Sequence, residues 1–408
     1  GASAELALAR AQQAMADWAD ATGELVYSHA ALDGDRPCLP SPLISSIAAR
    51  PRDAIAAETA ETAETAETSE PLAVRLRRAI DVEAIVDGQA PPCRTPADMP
   101  LRGGTRVFAD QSACAFRAFA THRLHAQPLA EPEPGLDAAA RGGLLHDALA
   151  AFWVGLGSQA ALRALTEAAL HQRVVAAASA ALDRLGAARP DALGPALRAL
   201  EQERLLRAVH AWLEIEDARP PFTVLTLETA GEVDIGGLRV AMRPDRVDRL
   251  DDGSLAIIDY KTGGVTTRAW LDTRPDQPQL PLYATAYATG AMPGGPQPVG
   301  AIAFAQLRPG QTRLAALAAR DGLLPDAQVI APDAVTIVRP GWDGLLADWR
   351  DLLAQLAQAF LRGDAAVAPK RLPQTCEYCG LALLCRRHER AAPGTDWTDG
   401  RAAEDGDD

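Results

Sequence analysis

The sequence has no run of about 18 apolar residues, so no transmembrane helix is expected. Its first residues, Gly1-Ala2-Ser3-Ala4, show neither an initiator Met nor a signal-peptide pattern. A cytoplasmic chain is the expectation, with the opening residues read either as an appended scar or as the start of a fragment of something longer. No Gly-x-x-x-x-Gly-Lys-Ser/Thr occurs, which excludes a recognisable ATP motor. An excess of basic residues is also missing: 40 Lys and Arg stand against 54 Asp and Glu, a net charge of −14. That balance argues against nucleic-acid binding only if the charge is spread evenly. It is not. Glu58 to Glu70 holds five acids and no base, and Asp396 to Asp408 holds six acids and one base. These two stretches carry −10, so the remainder is near neutral at −4 and leaves room for local basic patches.

What is present is the composition of a globular protein with a real core, 48% apolar and 23% charged. The spacing predicts an amphipathic helix over 4–20, a short strand at Leu25–Ser28, and a Pro-rich stretch through Pro37, Pro40 and Pro42. Ala-Glu-Thr repeats four times from Ala57, a biased linker over 55–72 with 73–102 as connector. Helical patterns follow over 141–157, 159–185 and 191–217. Strands are expected at Phe222–Glu228, Leu238–Arg243 and Leu255–Tyr260, the last two separated by the turn Asp251-Asp252-Gly253. A helix over 276–289, strands at Ala301–Gln306 and Val335–Val338, and an amphipathic helix over 341–362 complete the pattern. This order describes an α/β sandwich with a mixed sheet and a large helical insertion. The acidic tail 391–408 reads as disordered.

The most informative stretch is Arg243-Pro-Asp245-Arg-Val-Asp248, then a turn, then Ile257-Ile-Asp259-Tyr-Lys261-Thr-Gly263. Two strands paired across a turn bring Asp245 and Asp259 together as oxygen ligands for Mg²⁺ or Mn²⁺. Such an ion binds a phosphate oxygen and acidifies a water. Lys261 is two residues after Asp259, on the same strand face, where it can orient that water. The bland reading makes Asp245 and Asp248 solvated turn residues and Lys261 a surface charge. The apolar run Leu255-Ala-Ile-Ile258 just before them weakens it.

Asp-Tyr-Lys-Thr-Gly after an apolar strand, preceded by Arg-x-Asp-Arg-x-Asp, resembles the RecB-like nucleases of the PD-(D/E)xK type, including the nuclease domains of RecB, AddA and AddB. Further pieces fall in the family's order: His146 on a helix, Gln279-x-x-x-Tyr283, and flanking cysteines. The resemblance spans 103–390 and implies a restriction-endonuclease-like core. It implies metal ligation by His146, Asp245, Asp259 and the Tyr260 carbonyl, with Lys261 as the catalytic lysine. Gln279 and Tyr283 would hold that lysine and contact DNA. Met242 and Pro244 depart from the family's usual residues before the first Asp. Glu228 is given a supporting place rather than a ligand's. Without the family, His146 reads as a core histidine.

Cys376-x-x-Cys379 and Cys385 place three thiolates within ten residues. A tetrahedral Zn²⁺ or a [4Fe–4S] cluster needs a fourth, and Cys114 is the candidate. Spacing leaves both metals open; the resemblance favours iron–sulfur. Cys38 and Cys93 read as ordinary residues. Lys370, Arg371, Arg386 and Arg387 around the trio are candidate phosphate contacts. Val26-Tyr-Ser28 with Asp33-Gly-Asp35 and Ser41-Pro42 resembles the end of a helicase-like region in AddB-type proteins, so 1–54 is expected to be its remnant. The resemblance thus implies a DNA exonuclease in double-strand-break repair, acting on single strands near ends, with a helicase region or subunit as partner. The competing expectations are a catalytically silent DNA-binding module and a zinc-stabilised interaction domain.

Overall fold

The structure, a computed structural model, describes residues 3–23, 25–33, 35–48, 87–93, 100–128, 135–292 and 294–387. The 55–72 repeat, much of the 73–102 connector and the 391–408 tail lie outside these residues. The chain divides into two units, Gly1–Val86 and Asp87–Asp408.

In the first unit, α1 spans Ala4–Ala21 and is started by Ser3, whose hydroxyl accepts from the Leu6 amide at 3.1 Å. The strand expected at Leu25–Ser28 is absent, and Val26 is exposed. No described strand pairs with it, and an unpaired strand has no ladder to hold it. The pairing that does occur is two residues long, β1 (Leu32–Asp33) with β2 (Arg36–Pro37).

The second unit is a mixed sheet between helical layers. Before the sheet come α2 (Arg106–Ala113), α3 (Ala115–His122), α4 (Ala138–Trp153), α5 (Gln159–Arg163), α6 (Glu167–Ala188) and α7 (Pro195–Ala218). The helix expected over 159–185 is two helices, because Thr166 caps a new start by accepting from the Ala169 amide. The one expected over 191–217 begins later, at the Gly194-Pro195 pair.

The strands are β3 (Phe222–Leu227), β4 (Gly231–Ile235), β5 (Leu238–Met242), β6 (Arg246–Leu250), β7 (Leu255–Lys261), β8 (Val299–Gln306), β9 (Arg313–Ala318) and β10 (Gln328–Val329). Six of them form one sheet in the order β10-β9-β8-β7-β6-β3, with β7/β8 and β9/β10 parallel and the other pairs antiparallel. One expectation needs correcting. The partner of β7 across Asp251-Asp252-Gly253 is β6, not the segment Leu238–Arg243. That segment, as β5, pairs with β4 in a separate ribbon and bridges from Val240 to Leu101. Pro244, which has no amide to donate, separates the two. Gly253 takes φ +81° in the turn, a conformation that a side chain disfavours. The expected strand at Val335–Val338 is also absent; Val335 makes only an isolated bridge to Pro340.

Side-chain alternation builds two cores. Ile257, Ile302, Phe304 and Leu317 face α8 (Gln279–Thr289) and α9 (Gly341–Arg362). Ile258, Ala301, Ala303 and Ala305 face α4, α6 and α7. The alanines of β8 let those helices approach closely. Two four-residue helices close the described chain, α10 (Gln374–Glu377) and α11 (Ala382–Cys385).

Candidate metal centre

Strand direction assembles the centre. β6 runs antiparallel to both β3 and β7, so the residues ending β3 and β7 meet the residue starting β6. Leu227 and Ile258 both register with Arg246. One residue further on, Glu228, Asp245 and Asp259 therefore converge at one end of the sheet. The Glu228 amide donates to the Asp245 carbonyl at 3.1 Å, and the Tyr260 amide donates to Asp245 Oδ2 at 2.8 Å.

α4 brings His146 to this point. Its Nε2 lies 2.8 Å from the Tyr260 carbonyl. A carbonyl only accepts, so Nε2 carries the proton, and in the neutral ring the Nδ1 lone pair is left free. Nδ1 points into the cluster, 3.3 Å from Asp245 Oδ2 and 4.0 Å from Glu228 Oε1. His146, Glu228 and Asp245 each offer a ligand atom within 4.8 Å of the others'. Burial lowers the His146 pKa, but Asp245, Asp259 and the Tyr260 carbonyl outweigh it and raise it above its usual 6.5.

Asp259 sits beside this triad with its side chain almost wholly buried. Lys261 Nζ is 2.5 Å from its Oδ2 in an ion pair, while Oδ1 has no hydrogen-bond partner. Burial pushes the Asp259 pKa up to about 6, with Lys261 opposing and Asp245 adding to the rise. A buried carboxylate with one oxygen left unpartnered, facing two further carboxylates and an imidazole lone pair, is the donor set a hard divalent cation takes. Asp245, Asp259, Glu228 and His146 Nδ1 are the residues that fit it. The Tyr260 carbonyl, expected among the ligands, accepts from His146 here.

Glu228 is the residue that sequence reasoning undervalued. It takes φ +46°, unusual for a side chain with a Cβ, and this aims its carboxylate at His146 and at Arg243 Nε, 2.9 Å away. Burial, then Asp245, raises its pKa against Arg243. Only its place at a strand end signalled it in sequence.

Gln279 and Tyr283 meet each other but not Lys261. Gln279 Nε2 donates to Tyr283 Oη, and Tyr283 Oη donates to the Arg243 carbonyl, each at 3.1 Å. Their hydrogen bonds anchor the Arg243–Asp245 turn, while Lys261 Nζ lies over the Phe304 ring. Asp248 is no solvated turn residue. It is fully buried with Glu216, Arg219 and Arg246, two guanidiniums against two carboxylates, and Arg246 Nη1 also reaches Tyr260 Oη at 3.4 Å.

A family model for the PD-(D/E)XK nuclease superfamily matches residues 108–386, well over half of the chain. The chain belongs to that superfamily. The six-stranded mixed sheet between helices is consistent with its restriction-endonuclease-like fold. Members of the PD-(D/E)XK superfamily are generally nucleases that use divalent metals, which implies a DNA substrate here. No curated protein matches the chain. Among solved structures, that of SSO0001 is similar over 69% of this chain and 95% of its own, at 13% identity and a TM-score of 0.24, a score that supports no inference about function. No helix among the described residues is long and apolar enough to cross a membrane.

Cys114, Cys376, Cys379 and Cys385 lie within the PD-(D/E)XK match; Cys38 and Cys93 precede it. Cys114 is buried in the extended break between α2 and α3, its Sγ 3.9 Å from the Ala366 carbonyl. Burial raises the Cys379 thiol pKa; Arg117 lowers it, and Cys114 and Cys376 add to the rise, so these groups are electrostatic neighbours. Arg387 Nη1 approaches Cys376 Sγ at 3.7 Å. No three cysteine sulfurs among the described residues lie within 4.8 Å of one another. Lys370 is not a free phosphate contact. Its Nζ pairs with Asp272 at 3.0 Å and Asp276 at 2.9 Å, and Arg371 also pairs with Asp276.

Proposed function

We propose that this chain is a Mg²⁺- or Mn²⁺-dependent deoxyribonuclease whose centre is Asp245, Asp259 and Lys261, with His146 Nδ1 and Glu228 completing the metal site. The observation that carries this is the convergence of His146 Nδ1, Glu228 and Asp245 beside the buried Asp259 carboxylate, which Lys261 holds through Oδ2 and whose Oδ1 has no donor. A divalent ion bound there supplies Lewis acidity to a phosphate oxygen and an acidified water. The protein's own part is positioning. Asp245 is fixed by the Tyr260 amide, and the turn that carries it by Tyr283. Lys261, at the half-open rim, is placed to stabilise charge developing on the phosphate. The resemblance to RecB-like proteins supports a narrower role: an exonuclease on single strands near DNA ends, in double-strand-break repair or recombination, working with a helicase. In this reading residues 1–54 belong to that helicase-like part and 103–390 form the nuclease domain.

Cleavage of end-labelled DNA tests the reading. Mg²⁺ is expected to support it and EDTA to stop it. Lys261→Ala is expected to slow turnover by about 10²–10³-fold, as for loss of a group that stabilises transition-state charge. Cleavage that persists in EDTA, or in both Asp259→Ala and Lys261→Ala, contradicts it.

The same resemblance supports a [4Fe–4S] cluster on Cys114, Cys376, Cys379 and Cys385. The cluster closes a loop on the order of 260 residues, a constraint of roughly 4–5 kcal/mol in the chain-entropy picture of cross-links. Purified protein is expected to contain iron and absorb in the visible, and Cys114→Ala to lose both and melt lower. A colourless parent with one zinc rejects the cluster; an unchanged melting temperature rejects the clasp.

A further inference from the structure

A cavity of about 630 Å³ lies between α4, α7 and the segments that follow β7 and β8. Leu144 and Leu145 of α4 and Leu205 of α7 give it an apolar floor. Thr262, the residue after Lys261, forms part of its wall, and Leu145 precedes His146 in the chain. The cavity and the centre are thus built on the same helix, α4, and on adjoining residues at the end of β7. Its rim is cationic, with Arg141, Arg204, Arg207 and Arg308 against the single acid Glu201.

The way these charges are held matters more than their number. Glu201 is 3% exposed and accepts from Arg141 Nε at 3.0 Å and Arg204 Nη1 at 3.2 Å. One buried carboxylate therefore orients two guanidiniums and neutralises only one. Among the described residues Arg207 pairs with the exposed Glu203 alone, at 3.6 Å. Arg308 is exposed and pairs with no carboxylate among the described residues. In a chain of net charge −14, this lining alone is cationic by three. Apolar floor and cationic rim together match an amphiphile with a flat apolar face and anionic groups along one side. A nucleotide of a single strand has that form. A duplex, with its bases stacked inside and its width fixed, cannot enter a concavity of this size.

We propose that this cavity is the subsite for the nucleotides next to the scissile phosphate of a single strand, bases on the Leu144–Leu205 floor and phosphates on Arg204, Arg207 and Arg308. The proposal rests on the nuclease reading of the metal centre and assigns its preference for single strands to this cavity. The centre then takes a phosphate only from a strand whose neighbouring nucleotides can splay into the pocket.

The test is binding of short oligothymidylate and of the matching duplex by the full chain in EDTA, over a range of salt, where no cleavage is needed. The combined variant Arg207→Ala with Arg308→Ala changes two exposed residues, and Arg308→Glu is a second, charge-reversing variant. Both are expected to raise the single-strand Kd about tenfold or more, and the double variant to reduce the slope of log K against log salt by ~0.7 for each phosphate that is no longer neutralised. Duplex binding is expected to change little. In Mg²⁺, the parent is expected to hydrolyse bis(p-nitrophenyl) phosphate, which is too small to need the pocket. A parent that hydrolyses neither ester nor DNA removes the nuclease reading, and the EDTA measurement still decides the cavity. The proposal is overturned if the parent does not bind the single strand, if the variants keep the parent's Kd and slope, or if duplex and single strand weaken equally.

Discussion

At Asp259, burial and a neighbouring lysine pull against one another. Burial raises its carboxyl to about 6, Lys261 opposes, and Asp245 adds to the rise. In an unfolded chain the same group titrates near 3.8. Between those values the folded protein holds a proton that the unfolded chain has released, so stability falls as pH rises through the window. His146, raised above 6.5, and Glu228, raised above 4.5, act with the same sign. The metal-free melting temperature is therefore expected to fall from pH 4 to above pH 6, and Asp259→Asn to flatten that fall. Melting curves in EDTA across this range check it; a parent whose stability climbs with pH, or a variant with the parent's slope, contradicts it. At this scale the sequence was largely legible for Asp245, Asp259 and Lys261, because a carboxylate and a lysine ending an apolar strand stand out. Glu228 was not. Its part depends on a left-handed backbone turn that no residue pattern announces.

Elements show where reading from pattern stops. α4 and α9 were legible because long apolar stripes repeat with helical spacing. β6 was not, since Arg246, Asp248 and Arg249 hide its alternation. β9 was not, since Arg313-Leu-Ala-Ala-Leu-Ala318 is rich in alanine, a poor strand former. In β6 the polar residues are buried for a reason that lies elsewhere in the chain. Arg246 and Asp248 complete a network with Glu216 and Arg219, which end α7, and with the Tyr260 ring of β7. Arg246 also lies over Trp153 and Phe222. The network locks the strand whose backbone carries Asp259 and Tyr260. Asp248→Ala leaves Arg219 and Arg246 short of a carboxylate inside the core, and breaking such a buried pair costs about 3–5 kcal/mol. Denaturant unfolding of Asp248→Ala beside the parent measures this. A loss below about 1 kcal/mol, the range of exposed ion pairs, shows that the network does not hold the strand.

Across the whole molecule, the candidate centre joins segments far apart in sequence. His146 comes from a helix before the insertion, Glu228 from the end of β3, Asp245 from a turn anchored by α8, and Asp259 from β7. The sheet supplies their convergence, because β3 and β7 end where β6 begins. Composition pointed the other way. A net charge of −14 reads as unsuited to DNA until the acids of 58–70 and 396–408 are set apart, and until the arginine-rimmed cavity between α4 and α7 is seen. That cavity was invisible in sequence, since Arg141, Arg204, Arg207 and Arg308 share no motif. The central claim is that His146, Glu228, Asp245 and Asp259 hold one divalent cation. Anomalous scattering from crystals soaked in Mn²⁺ tests it most directly. The account predicts a peak at bonding distance from His146 Nδ1 and from carboxylate oxygens of Asp245 and Asp259, lost in Asp259→Asn. A parent crystal with no peak there, or a peak that survives the substitution, contradicts it.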